Sequence, residues 1–249
     1  MRADFARFVS RGHGWLTLAR SGPRGVSMRR DRIMDFDLTG MKQADHQGTL
    51  HIVNGQNVKL EGHVRLPWNG RFEIKGPEAH LVLTLLTLRR QKGAQNGVVY
   101  NRGGQVHLDR VEFHDNEAAG DGAAVTATGK TSHTVIDNCD FHENRAGGAG
   151  GAVAVRGAGA QLKVIGAHFL RNHAQRGGAV AVLEGGTATI SDCKFHINTA
   201  TSFGGGVFIA HSAGEDTVLR RAELAKNSAG EEITSTYLSI SARFQPRLL

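Results

Sequence analysis

Four short segments constrain this chain more than any other feature. Phe113-His114-Asp115-Asn116, Phe141-His142-Glu143-Asn144 and Phe169-Leu170-Arg171-Asn172 recur 28 residues apart, and Phe195-His196-Ile197-Asn198 follows 26 residues later. A block of small residues trails the later copies: Gly151-Ala152-Val153-Ala154-Val155, Gly178-Ala179-Val180-Ala181-Val182, then Gly205-Gly206-Val207-Phe208. A fixed period of this size marks a chain of stacked units, each too small to bury an apolar face alone. Within a unit the apolar residues alternate, as in Gln161-Leu162-Lys163-Val164-Ile165 and Thr187-Ala188-Thr189-Ile190. A period of two is the mark of a strand, not a helix. Gly and Asn stand at the joints, where the chain must reverse. Strands of about five residues joined by short turns predict one coil of a parallel β-helix, with successive coils about 4.8 Å apart.

Aligning the coils turns the sequence into columns. The first reads Leu88, Phe113, Phe141, Phe169, Phe195 and Leu224, uniformly apolar and therefore inward. Two residues earlier stand Val111, Cys139, Ala167, Cys193 and Ala222, again inward. Three residues after the Phe column come Gln91, Asn116, Asn144, Asn172, Asn198 and Asn227. Amides stacked at a turn bond to one another along the stack and satisfy groups that would otherwise be buried unpaired. Asn116, Asn144, Asn172 and Asn198 are thus predicted to form a structural ladder, and losing one amide is expected to cost roughly 1–3 kcal/mol.

The pairing of Phe-x-x-Asn with Gly-Gly-Ala-Val resembles the repeat of the chlamydial polymorphic outer-membrane protein family over roughly Leu88 to Gly230. The resemblance implies a right-handed parallel β-helix of the pectin lyase-like superfold, display at the cell surface or outside the cell, and adhesion as the role. The expected architecture is all-β: a single right-handed parallel β-helix of about six to seven coils, capped at both ends. Residues 1–47 form a basic N-terminal cap or arm, and residues 48–249 the β-helix domain with its C-terminal cap.

The net charge of +7 is uneven, because residues 1–47 hold nine Lys and Arg against five Asp. Such a segment suits phosphate, an anionic membrane surface or plain solvation. Its Arg-rich, Ser-containing character also fits an organelle transit peptide, and no apolar core of a secretory signal stands in it. As a cap it would bury Phe5, Phe8 and Trp15 against the first coil; as an arm it would dock the chain into a larger assembly. The aromatic interleaving that single-stranded nucleic acid needs is missing from the coils, so nucleic acid is not an expected partner. The longest apolar run, Leu81 to Leu88, reads as a strand entering the first regular coil and is too short to cross a bilayer. Before it, the segments 49–53, 57–60, 63–66 and 71–74 alternate as strands; after Asn227, a last strand over 234–240 and a terminal cap over 244–249 are expected. Cys139 and Cys193 share a column with Ala167 between them, which puts them two coils apart, about 9–10 Å, beyond disulfide reach.

Candidate sites flank the Phe column. Glu112, Asp140, His168, Lys194 and Glu223 precede it, and His114, His142, Leu170, His196 and Ala225 follow it. Strand alternation turns both sets outward on one sheet. Glu112, His114, Asp140, His142, His168 and His196 therefore make a candidate binding surface for a protein or glycan partner. Imidazole and carboxylate at such spacing also suit a divalent metal or acid–base chemistry, and Glu112, His114, Asp140 and His142 are the catalytic set if the chain is an enzyme. The plain alternative is a solvated ladder, since every exposed position of a β-helix repeats into a column. Glycoside hydrolysis would need two carboxyls about 5–10 Å apart across a groove. Asp137, Asp140 and Asp192 are the candidates, yet none stands in a recognisable sugar-site pattern. Gly12-His13-Gly14 matches a fragment of the polygalacturonase signature but lies outside the coils. The expected function is a non-catalytic adhesin-like or scaffold protein that needs no metal and no cofactor. The rival readings are a carbohydrate-active enzyme of the lyase or glycoside hydrolase type and a structural subunit of a larger assembly.

Overall fold

The computed structural model describes residues 49–61 and 70–230, together with the short strands Leu16–Thr17, Thr236–Tyr237 and Arg243–Gln245. Each regular coil has four straight segments. In one coil these are Val125–Thr128, His133–Asp137, Asp140–His142 and Arg145–Ala146; in the next they are Val153–Arg156, Gln161–Ile165, His168–Leu170 and His173–Arg176. Like segments of successive coils pair in parallel, giving sheets of eight, nine, six and five strands among the described residues. The register follows the sequence columns: Phe141 lies opposite both Phe113 and Phe169, and Val153 opposite both Val125 and Val180. The result is a right-handed parallel β-helix of about six turns, and no helix occurs among the described residues. None is therefore long and apolar enough there to cross a membrane.

The core is a narrow prism. Phe113, Phe141, Phe169 and Phe195 are buried, with adjacent rings stacked at centroid distances of 5.1, 4.8 and 4.7 Å. Parallel rings at this separation lie within the favourable range for offset stacking. Cys139 and Cys193 are buried and free, and burial pushes both thiols up to about 12. Both are thus inert small hydrophobes at neutral pH.

Each Asn of the ladder bonds to two neighbouring coils at once. The Oδ1 of Asn144 accepts from the N–H and Nδ2 of Asn116 at 3.2 and 2.9 Å, while its Nδ2 donates to Phe113 O and Asn172 Oδ1, both at 3.0 Å. Asn116, Asn172 and Asn198 repeat the pattern, and Asn227 continues it. Gln91 replaces Asn at the N-terminal end and turns its amide to Arg89 O.

Two features differ from the sequence expectation. The first is the number of segments per coil: four rather than two, several of them only two or three residues long. The chain turns at single residues in the left-handed region, Asn138 (φ 51°) and Glu143 (φ 56°) in one coil, Asp192 (φ 58°) and Ile197 (φ 54°) in another. For a β-branched Ile this conformation is strained, and it persists because the corner N–H finds a carbonyl on the next coil. Ile197 N donates to Ala225 O at 3.0 Å, as Glu143 N does to Leu170 O. The second is the run 81–88, which is two strands, His80–Thr84 and Thr87–Arg89, broken at Leu85 (φ 57°) as the chain rounds a corner.

Glycine closes the coils. The outer residues of the eight-stranded sheet, such as Thr126, Ala154 and Ala181, are buried as well as the inner ones. The loop that precedes each strand folds back over it, and Thr126 Oγ1 donates to Asp121 O at 2.7 Å. Leu16–Thr17 adds to the edge of the nine-stranded sheet beside Val58–Lys59. Arg243–Gln245 adds a further strand at the far edge, beside Val218–Arg220, where a cap was expected. Phe5, Phe8, Trp15, the Gly12-His13-Gly14 fragment, the segment 63–66 and most of the 234–240 strand lie outside the described residues.

Candidate functional site

The six candidate residues occupy the outer face of the six-stranded sheet, on Glu112–His114, Asp140–His142, His168–Leu170 and Lys194–His196. Their neighbours are in register: Glu112 with Asp140 and then His168, and His114 with His142. Because the Phe between each pair points into the core, its two flanking side chains must point out.

The face is a ladder of contacts between coils. His168 Nδ1 lies 3.3 Å from Asp140 Oδ1, and His196 Nε2 lies 2.9 Å from Glu223 Oε1. The rings of His114 and His142 stack at 6.3 Å. His114 Nε2 also lies 3.5 Å from Glu143 Oε2, and Glu112 accepts from Thr87 Oγ1 at 3.2 Å. These ion-paired side chains are 38–53 % exposed, so each pair contributes a few tenths of a kcal/mol up to about 1 kcal/mol. Among the described residues no three His, Cys, Asp or Glu side chains converge as a metal site would require.

The three aspartates weighed for glycoside hydrolysis each meet a different group. Asp137 stands on the nine-stranded sheet 2.9 Å from His107 Nε2, Asp140 faces His168, and Asp192 takes the guanidinium of Arg221 at 2.5 and 2.6 Å. Each carboxylate is thus engaged by a different partner.

A cavity of about 510 Å³ lies elsewhere, on the five-stranded sheet. Glu117, Arg145, His173, Gln175 and Thr201 line it, and none of the six candidates does. Burial, then the neighbouring Arg145, holds the His173 imidazole below its usual range. The sequence reading passed over these residues although the same alignment contains them: Glu117, Arg145 and His173 each follow directly on a ladder Asn. It also passed over Glu143, at the corner next to His142, which makes the ladder's contacts to His114 and, at 4.0 Å, to Arg171.

Comparison with known proteins adds one match. A family model described as a right handed beta helix region covers residues 83–241. No curated protein and no solved structure matches the chain. Fold of this kind does not by itself assign an activity, since adhesins, scaffolds and carbohydrate-active enzymes all use it. The match spans more than half of the 249 residues and coincides with the stacked coils, and the chain belongs to the right-handed β-helix family.

Proposed function

We propose that this chain is a non-catalytic binding protein, adhesin-like or scaffold in type, which engages a protein or glycan partner through the outer face of its six-stranded sheet. The observation that carries the reading is the state of the ladder. Its carboxylates and imidazoles already face one another between coils, about half exposed, and none of the six candidates lines the cavity on the five-stranded sheet. A general acid requires a carboxyl held in an apolar, water-poor pocket, where burial raises its pKa. A flat face with a regular pattern of exposed hydrogen-bonding groups suits lateral recognition instead. The resemblance of the Phe-x-x-Asn coils to the polymorphic outer-membrane repeat supports the same reading, and with it display at the cell surface or outside the cell.

The test is a glycan and protein array probed with the purified chain, run beside incubation of the chain with pectin and alginate. Binding to one ligand class is expected, falling about tenfold in the His114→Ala/His142→Ala variant, with no new reducing or unsaturated ends in either polysaccharide. Depolymerisation that disappears in Glu112→Gln or Asp140→Asn would replace this reading by the carbohydrate-active one.

A further inference from the structure

The groove on the five-stranded sheet has an origin that can be followed residue by residue. The ladder Asn fixes the turn, so the residue after it falls in register from coil to coil: Glu117 opposite Arg145, Arg145 opposite His173, His173 opposite Thr199. The next residue, Ala118, Ala146, Ala174 or Ala200, points inward and is buried. The one after that points out again, and here the coils differ. Gln175 and Thr201 carry side chains, whereas Ala119 and Gly147 carry almost none. A methyl group at Gly147 would overlap the carbonyl oxygen of Ala119, so the hollow is enforced by the backbone.

The charges on its walls are unequally satisfied. Glu117 accepts from Lys92 Nζ at 2.8 Å, which neutralises it from within the protein. His173 Nδ1 is held by Thr199 Oγ1 at 2.8 Å. Arg145 has no ion pair and no side-chain hydrogen bond among the described residues, and the side chains of Gln175 and Thr201 are likewise unengaged. Arg145 stands in register between Glu117, whose carboxylate is taken by Lys92, and His173, so its guanidinium is left as half of a bidentate pair.

The lining runs from Gly93 to Thr201 across five successive coils, four spacings or roughly 19 Å along the axis. That length holds about five or six residues of extended peptide. No Phe, Tyr or Trp lines the groove to receive the apolar face of a sugar, and a single unpaired cation does not make a phosphate-backbone track. A narrow floor of alanine and glycine does admit a peptide main chain close to the surface.

We infer that this groove docks an extended acidic peptide segment of a partner protein, with one carboxylate paired to Arg145 and the main chain lying over Ala119 and Gly147. The site is separate from the ladder face and does not depend on what that face binds.

The test uses the full chain and a fluorescein-labelled hexapeptide of alternating Glu and Ala, with an alternating Gln and Ala peptide as its neutral counterpart. Saturable anisotropy is expected with the acidic peptide, at least about tenfold weaker with the neutral one. Arg145→Gln should erase that preference. Ala119→Leu, which fills the hollow from an exposed position, should weaken the acidic peptide about tenfold at an unchanged melting temperature. His168→Ala, on the ladder face, should leave binding unaltered, which separates this site from the one proposed above. Equal affinity for both peptides, a preference that survives Arg145→Gln, or displacement of the peptide by an oligogalacturonate would overturn the assignment.

Discussion

Asn144→Leu is expected to lower the melting temperature by roughly 6–12 °C, because it orphans buried groups on two coils at once. The residue is fully buried. Its Oδ1 is the acceptor for both the N–H and the Nδ2 of Asn116, and its Nδ2 is the donor to Phe113 O and Asn172 Oδ1. Leucine fills a similar volume and offers none of this. Two donors lose their acceptor in a space that water does not reach, and each such loss costs about 1–3 kcal/mol. A total of about 3 kcal/mol is a cautious sum, since the hydrophobic leucine returns part of the loss. Thermal unfolding followed by circular dichroism measures it. A variant that melts within about 2 °C of the parent would mean that the ladder does not hold the coils together.

Gly178→Ala should be at least as damaging, for a different reason. A methyl group there would overlap the carbonyl oxygen of Gly205 on the next coil and stand 2.5 Å from the carbonyl oxygen of Thr199. Both obstacles are backbone held in the coil-to-coil hydrogen bonding, so nothing flexible can yield. Overpacking of this kind costs about 3 kcal/mol or more, again a fall of roughly 6–12 °C. Gly157→Ala supplies the comparison. Nothing lies within 4 Å of a methyl at Gly157, whose φ is +95°. Only backbone strain opposes that change, about 1 kcal/mol. The order of the two midpoints in urea is the readout. If Gly178→Ala proved as stable as Gly157→Ala, the close approach of successive glycine-rich loops would be wrong.

What could be read from the sequence was what repeats as a side-chain type. The Phe and Asn columns were legible because one residue fills each position in coil after coil, and their register in the structure follows that alignment. The corners were not. Arg110, Asn138, Asp192 and Arg221 share the same left-handed turn and no common chemistry, since the conformation is imposed by stacking on the neighbouring coil and not by the residue's own preference. The apolar run 81–88 was misread as one strand for this reason: Leu85 gives no sign that it is a corner.

The ladder face was legible in the same way, down to which residues share a row. The contact of Glu143 with His114 was not, because it reaches across the turn from outside the columns that were counted. The groove is the opposite case. It exists where Ala119 and Gly147 carry at most a methyl group, and an absence leaves no mark in a search for reactive groups. Arg145 drew no attention for its sequence position; what distinguishes it is that, among the described residues, it makes no ion pair, the carboxylate opposite it being taken by Lys92.

Nuclear Overhauser spectra of the chain with only its Phe rings protonated probe the stacking of coils without further inference. The rings of Phe113, Phe141, Phe169 and Phe195 stand at successive centroid distances of 5.1, 4.8 and 4.7 Å. Cross-peaks are expected between each ring and the next, and none between Phe113 and Phe195, three coils apart. A spectrum in which Phe141 meets neither Phe113 nor Phe169 would contradict the stacked coils, and with them the ladder face and the groove.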